Sequence, residues 1–229
     1  MAEKRQYAIS KFENNVDYIP EYVEGEFDIP FIKPEPYDGT VTFMPFNVAR
    51  SLQYKRERYG IHFFIHDYMF TNLWTQREKY KRMLPEFKAV MTPDFSPYYD
   101  WPVMVQRWNH YRKHLLGAWM QEIGCKVYPT ITWSDAKSLK WCFDGEPYKA
   151  TVCVSSVGTQ KKKFDKALFM RGYDRMMEVL EPETILFYGP IPKECEGNIV
   201  PIETFQTKFK KGRGQDDQDK LADVCEDII

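Results

Sequence analysis

The sequence predicts an α/β fold: a mostly parallel sheet with alternating helices, either an open sheet or a partial, irregular βα barrel. Three observations predict it. Apolar runs of strand length recur along the chain, segments of helical period lie between the later runs, and the connectors are short. That alternation gives parallel strands joined by right-handed crossovers. Hydrophobic residues make up 43% of the 229 positions and aromatic residues 16%, enough to fill a sizeable core and to exclude wholesale disorder.

Residues 1 to about 40 are rich in proline and acid (Pro20, Pro30, Pro34 and Pro36 among Glu21, Glu24, Glu26 and Asp28) and show no period. They read as an extended arm packed on a domain. Residues 41–205 read as a single α/β domain. Its strands fall at Val41–Met44, Ile61–Ile65, Ala89–Met91, Val127–Thr132, Thr151–Val154 and Ile185–Phe187, with another around Ile199–Ile202. Helical segments cover about 71–84, 102–123, 134–142 and 160–180. In the last of these, Leu168, Phe169, Gly172, Tyr173, Met176, Val179 and Leu180 fall on one side and Arg171, Asp174, Arg175 and Glu178 on the other, as in a helix laid on a sheet. The segment 206–229 alternates charge blocks with Gly and Gln, a composition that fits a charged, mobile tail.

Charge and cysteine content narrow the class. Thirty-two Lys+Arg balance 33 Asp+Glu, which excludes a strongly basic nucleic-acid binder while leaving room for a local basic patch. No apolar run reaches the ~20 residues that span a bilayer, and the N-terminus lacks the apolar segment of a signal peptide. Cys125, Cys142, Cys153, Cys195 and Cys225 form no zinc-type spacing. A reducing cytoplasm is the expected location.

The helix at 102–123 holds the most informative residue. Its apolar face carries Trp101, Met104, Val105, Trp108, Leu115, Leu116, Trp119 and Ile123, with Arg112 near the middle and Asn109 at the edge. A guanidinium keeps its proton, so a buried Arg112 needs a carboxylate, carbonyls or an anionic ligand. His110 and His114 fall opposite that face and read as surface residues. His62 and His66 share a strand face at roughly 13 Å, too far for one metal.

Ligands in parallel α/β folds bind beyond the carboxyl ends of the strands. There the sequence places His66-Asp67-Tyr68, then Thr92-Pro93-Asp94-Phe95-Ser96, Trp133-Ser134-Asp135 and Ser155-Ser156-Val157-Gly158-Thr159. Asp67, Asp94 and Asp135, gathered at one rim, would hold Mg²⁺ or Mn²⁺; each is equally suited to capping the helix that follows it. The turn from Ser155 and Ser156 through Gly158 and Thr159 to Lys161, Lys162 and Lys163 would attract phosphate at a helix start, although no Walker loop is present. Basic groups at Lys55–Arg58, Arg77–Arg82 and Lys161–Lys163 interleave with Tyr and Trp, as nucleic-acid surfaces do.

Several of these motifs occur in an order that resembles a known family. The matching residues are Thr92-Pro93-Asp94-Phe95-Ser96, Trp108-Asn109-x-Tyr111-Arg112, Gly117-Ala118, Pro129-Thr130-x-x-Trp133-x-Asp135, Cys142-Phe143-Asp144-Gly145, Val154-Ser155-x-x-Gly158-Thr159 and Tyr188-Gly189. Over about residues 61–189 the chain resembles an uncharacterised protein family of bacteriophages and mobile elements, known as a domain of unknown function. The resemblance implies a phage or mobile-element origin and a role inside the host cell; it implies no activity.

Two functions follow as expectations. One is a metal-dependent phosphoester hydrolase acting on nucleic acid or nucleotides. Asp67, Asp94 and Asp135 would bind the metal, with Asp94, Asp135, Asn109 and Arg112 as the catalytic group; Arg112 and the Ser155–Lys163 turn would hold phosphate, with Trp133 beside Ser155, Ser156, Gly158, Thr159 and Lys161 in the ligand site. The alternative is a non-catalytic binder of nucleic acid or of a host protein, such as a replication accessory or an inhibitor of host defence. An aromatic-lined pocket for a small ligand at the strand ends is a third arrangement.

Overall fold

The computed structural model describes residues 2–202, without the side chains at positions 2, 3 and 5. The expected charged tail at 206–229, and Cys225 with it, lies outside the described residues. The chain begins with helix α1 (Ala2–Glu13), so the arm is not extended throughout. A two-residue antiparallel pairing of β1 (Val23–Glu24) with β2 (Ile29–Pro30) follows. The arm is fastened to the body by buried polar groups: Asn15 Nδ2 donates to Trp74 O at 2.8 Å, and Arg77 reaches Asn15 and Asp17. Arg77 is therefore a buried anchor rather than part of a basic surface.

Seven parallel strands follow in chain order. β3 (Thr42–Pro45), β4 (Tyr59–His62), β5 (Ala89–Met91) and β6 (Val127–Tyr128) form one ladder, and β7 (Thr151–Ser155), β8 (Thr184–Tyr188) and β9 (Ile199–Ile202) another. A parallel bridge between Thr130 and Cys153 stitches the two, with Ile131 N donating to Cys153 O and Cys153 N to Pro129 O, both at 2.8 Å. The ladder curls: Tyr188 at the end of β8 stacks on Phe64 just beyond β4, at 4.8 Å between ring centroids, and on His62 at 5.0 Å. Sequential order and curl are the features of a partial βα barrel. Because side chains alternate across a strand, Val152, Val154, Ile185 and Phe187 pack under α5 (Lys163–Leu180), while Cys153 and Leu186 join the core of the first ladder.

Two helical expectations change and one helix is added. The 71–84 segment is a short helix α3 (Thr71–Thr75) followed by 3₁₀ turns at Arg77–Tyr80 and Leu84–Glu86. It breaks at Gln76 (φ −144°, ψ 41°), where the chain turns Arg77 inward toward the arm. Segment 134–142 holds only a 3₁₀ turn, Ser138–Lys140. Between β3 and β4 lies a four-residue helix α2 (Phe46–Ala49) that the periodicity did not indicate.

The long helix α4 (Val103–Glu122) forms where expected but presents different faces. Leu115, Leu116 and Trp119 are buried, yet Trp101 just ahead of the helix and Met104, Val105 and Trp108 in its first half are exposed, Met104 at 69%. The polar stripe Gln106, Asn109, His110, Lys113 and His114 is buried instead. The rest of the body covers most of that stripe, with Gln106 bonded to Ser134, Asn109 to Ser96, His110 to Asp144 and Lys113 to Thr130. The arm adds β2 against α4, where Pro30 meets His114 and Ile32 with Thr92 crowds Gly117 so closely that a Cβ there would collide with both.

Candidate functional site

A cavity of about 410 Å³ opens on the C-terminal rim of the sheet. Its floor comes from the segments after β5 and β6, where Thr92 and Thr130 lock the backbones together. Thr130 N donates to Thr92 Oγ1 at 2.7 Å, and Thr130 Oγ1 returns a bond to Thr92 O at 3.0 Å. Aromatic walls are supplied by Phe64, Tyr98, Tyr99, Trp133 and Phe169, and hydroxyls by Ser96, Thr132 and Thr159. Asp94 and Asp165 are the carboxyl groups in the lining.

Asp94 is the chemically distinctive group. Its carboxyl has no hydrogen-bond partner among the described residues. Burial, together with the neighbouring Asp67 carboxylate and against the pull of Lys113, pushes its pKa up to about 7. A carboxyl tuned to neutrality is suited to giving or taking a proton. Asp67 sits beside it with both oxygens occupied, accepting from Ser96 N at 3.1 Å and Ser96 Oγ at 3.0 Å. Ser96 O in turn accepts from Asn109 Nδ2 at 2.7 Å, and Asn109 Oδ1 accepts from Arg112 Nη2 at 2.8 Å. The Arg112 guanidinium lies over the Phe95 ring at 3.7 Å, and its Nε is buried without a partner. Asn109 and Arg112 thus position the 95–96 loop from behind, outside the cavity lining.

The three rim aspartates do not converge on one ion. Asp135 Oδ1 accepts the backbone N–H groups of Lys137 and Ser138 at 2.9 and 3.0 Å, the capping role. Among the described residues, Asp67, Asp94 and Asp135 do not form a set of three ligands within mutual reach of a metal. Asp135 accepts from the N–H groups of the turn it begins, Asp67 accepts from Ser96 across the rim, and Asp94 faces the cavity.

The Ser155–Lys161 turn divides in the same way. Ser155, Gly158 and Thr159 line the cavity. Ser156 is fully buried and donates to Pro190 O, while Lys161, Lys162 and Lys163 point to solvent beside the start of α5. Trp133 lines the cavity with its indole seated on Gly172 of α5, where any Cβ would collide with the ring.

A second polar cluster escaped the sequence reading. His110, His114 and Glu146 are all buried and offer ligand atoms within 4.8 Å of one another. Glu146 Oε1 accepts from Lys113 Nζ at 2.7 Å and faces His114 Nε2 at 3.0 Å. Burial alone would raise the Glu146 pKa, but Lys113 and His114 outweigh it and hold the carboxyl below its ordinary range. The i,i+4 spacing of the histidines signalled the pair; the helix wheel placed it on the wrong side.

A parallel α/β protein with an aromatic, carboxyl-bearing pocket on the C-terminal strand rim is the class that fold and site define. The chain belongs to the family of the domain of unknown function DUF4417, which matches residues 21–206. That match takes in β1, β2 and the rest of the arm's second half, beyond the 61–189 stretch that carries the motifs. The chain is similar to the Gene 1 protein of Mycobacterium phage D29, 34% identical over 193 residues that cover 82% of this chain and 70% of that protein. It is 32% identical over 189 residues to the Gene 1 protein of Mycobacterium phage L5, covering 82% of each. No solved structure matches it. Among the described residues, no helix is long and apolar enough to cross a membrane.

Proposed function

We propose that the rim pocket binds a nucleotide, or a base of a nucleic acid, and that Asp94 is its acid–base group. The observation that carries this reading is a carboxyl without a hydrogen-bond partner inside an aromatic-walled cavity at the strand ends. Planar bases stack on such walls with about 1–3 kcal/mol each. Asp94, with its pKa near 7, suits the donor–acceptor edge of a base. The exposed lysines 161–163 and the start of α5 lie beside Gly158 and Thr159, where a phosphate would meet positive potential. Hydrolysis of a phosphoester, with Asp94 taking the proton of the attacking water, is the reaction this arrangement supports. The phage relatives fit a role in the host cell during infection.

Titration of the protein with nucleoside monophosphates and short single-stranded DNA, read by Trp133 fluorescence, tests the proposal. Quenching that disappears in Trp133→Phe and weakens in Asp94→Asn is expected. Unchanged fluorescence and no binding by calorimetry at millimolar ligand would exclude it.

The exposed apolar start of α4 favours a second reading, a binder of a host protein. Trp101, Met104, Val105 and Trp108 present an apolar patch to solvent, and such patches mark interaction sites. Met104→Glu with Val105→Glu should abolish capture of a host partner while leaving nucleotide quenching intact; capture that survives both substitutions eliminates this patch.

A further inference from the structure

We propose that His110, His114 and Glu146 form a site for one divalent transition-metal ion of the Zn²⁺ class, separate from the rim pocket and independent of its ligand. The leftover lone pairs of the two imidazoles mark the site. His110 Nε2 lies 3.0 Å from the backbone carbonyl of Asp144, and His114 Nδ1 lies 2.8 Å from that of Pro30. A carbonyl only accepts, so both of those nitrogens carry hydrogen. The opposite nitrogens, His110 Nδ1 and His114 Nε2, are then the coordinating ones. Carbonyl-anchored imidazoles of this kind are the usual outer shell of a metal site.

Two further atoms point the same way. His110 is 4% exposed and its Nδ1 has no partner; Glu146 is also 4% exposed and its Oε2 has none. With Nε2 on the Asp144 carbonyl, the unpartnered His110 Nδ1 offers its lone pair to the cluster. His114 Nε2 meets Glu146 Oε1 at 3.0 Å, a contact that requires a positive centre between two lone pairs. A proton meets that need at one contact; a metal meets it at all three ligands. Two imidazoles and one carboxylate suit Zn²⁺, Co²⁺ or Ni²⁺ rather than Mg²⁺ or Ca²⁺.

Lys113, 2.7 Å from Glu146 Oε1, opposes a second cation. The bound ion would also pin the arm to α4, since Pro30 holds one ligand and Gly145 abuts both Pro30 O and His114 Nδ1.

Chelator-treated full-length protein titrated with Co²⁺ (visible absorption) and Zn²⁺ (calorimetry) tests the site. One ion per chain and about tenfold or greater weakening in His110→Ala are expected. His110→Ala leaves the Pro30–His114 and Lys113–Glu146 bonds intact and serves even if His114→Ala fails to fold. Lys113→Met should bind the ion more tightly than the natural chain. The proposal is overturned if natural protein takes up no more ion than His110→Ala, the result expected were a trapped water bridging His110 Nδ1 and Glu146 Oε2.

Discussion

Replacing Glu146 with glutamine removes one charge from a pair that is almost wholly shielded from water, with side-chain exposures of 1% for Lys113 and 0% for Glu146. Shape and the accepting Oε1 survive, but the Lys113 ammonium is left with Thr130 O as its neutral partner, at 2.8 Å. Breaking a buried pair from one side costs about 3–5 kcal/mol. For a chain of this size, each kcal/mol lowers Tm by about 2–4 °C, so Glu146→Gln should melt roughly 6–20 °C lower. Thermal and urea denaturation at pH 7 in chelator measure it. The double variant Lys113→Met/Glu146→Leu should recover most of the loss, because no unpaired charge is then buried. The sign with pH is fixed: the carboxyl is held below its ordinary 4.5, so its contribution is full above that value and fades as pH falls through the lowered one. A Glu146→Gln variant within 1 kcal/mol of natural protein at pH 7 would refute the account of this pair.

Three other outcomes follow from the rim. Asp94 is raised from 3.8 to about 7, so its contribution is most favourable below pH 4 and is lost as pH rises through 7; Asp94→Asn should therefore match natural protein at pH 4 and exceed it increasingly toward pH 8, and a pH-independent difference in Tm would count against the shift. Gly172→Ala drives a methyl into the Trp133 indole, so it should cost about 1–3 kcal/mol, alter Trp133 emission and weaken ligand quenching, and unaltered emission would show that the ring is not seated there. Asp135→Ala should cost about 0.5–2 kcal/mol for its lost cap and leave both nucleotide and metal titrations unchanged; a loss of metal uptake would return Asp135 to the ligand set.

The parallel strands were legible in the chain's residue pattern. β5 lies where its apolar run predicts, β7, β8 and β9 agree within a residue or two, and the α5 face of Phe169, Tyr173 and Met176 is the buried one. These features follow from local periodicity, which burial on one face of a strand or helix imposes residue by residue. The position of the candidate pocket followed too, because parallel strands deliver their ends to one rim, and Asp94, Trp133, Ser155, Gly158 and Thr159 line it.

What the polar residues do depends on contacts made across the fold. Asp94 and Asp135 both lie in the segment beyond a strand, yet one faces a cavity and the other caps backbone N–H groups. The deeper reversal is in α4. A helix wheel assumes that apolar residues mark the inner side, but the arm and the segments around Thr130 and Asp144 close over the other side and bury His110, Lys113 and His114. Their burial is tolerable because Glu146 and the carbonyls of Pro30, Thr130 and Asp144, all distant in sequence, arrive to pair with them. Periodicity is set by neighbours three or four residues away, whereas satisfying a buried charge depends on partners that only the folded chain brings near.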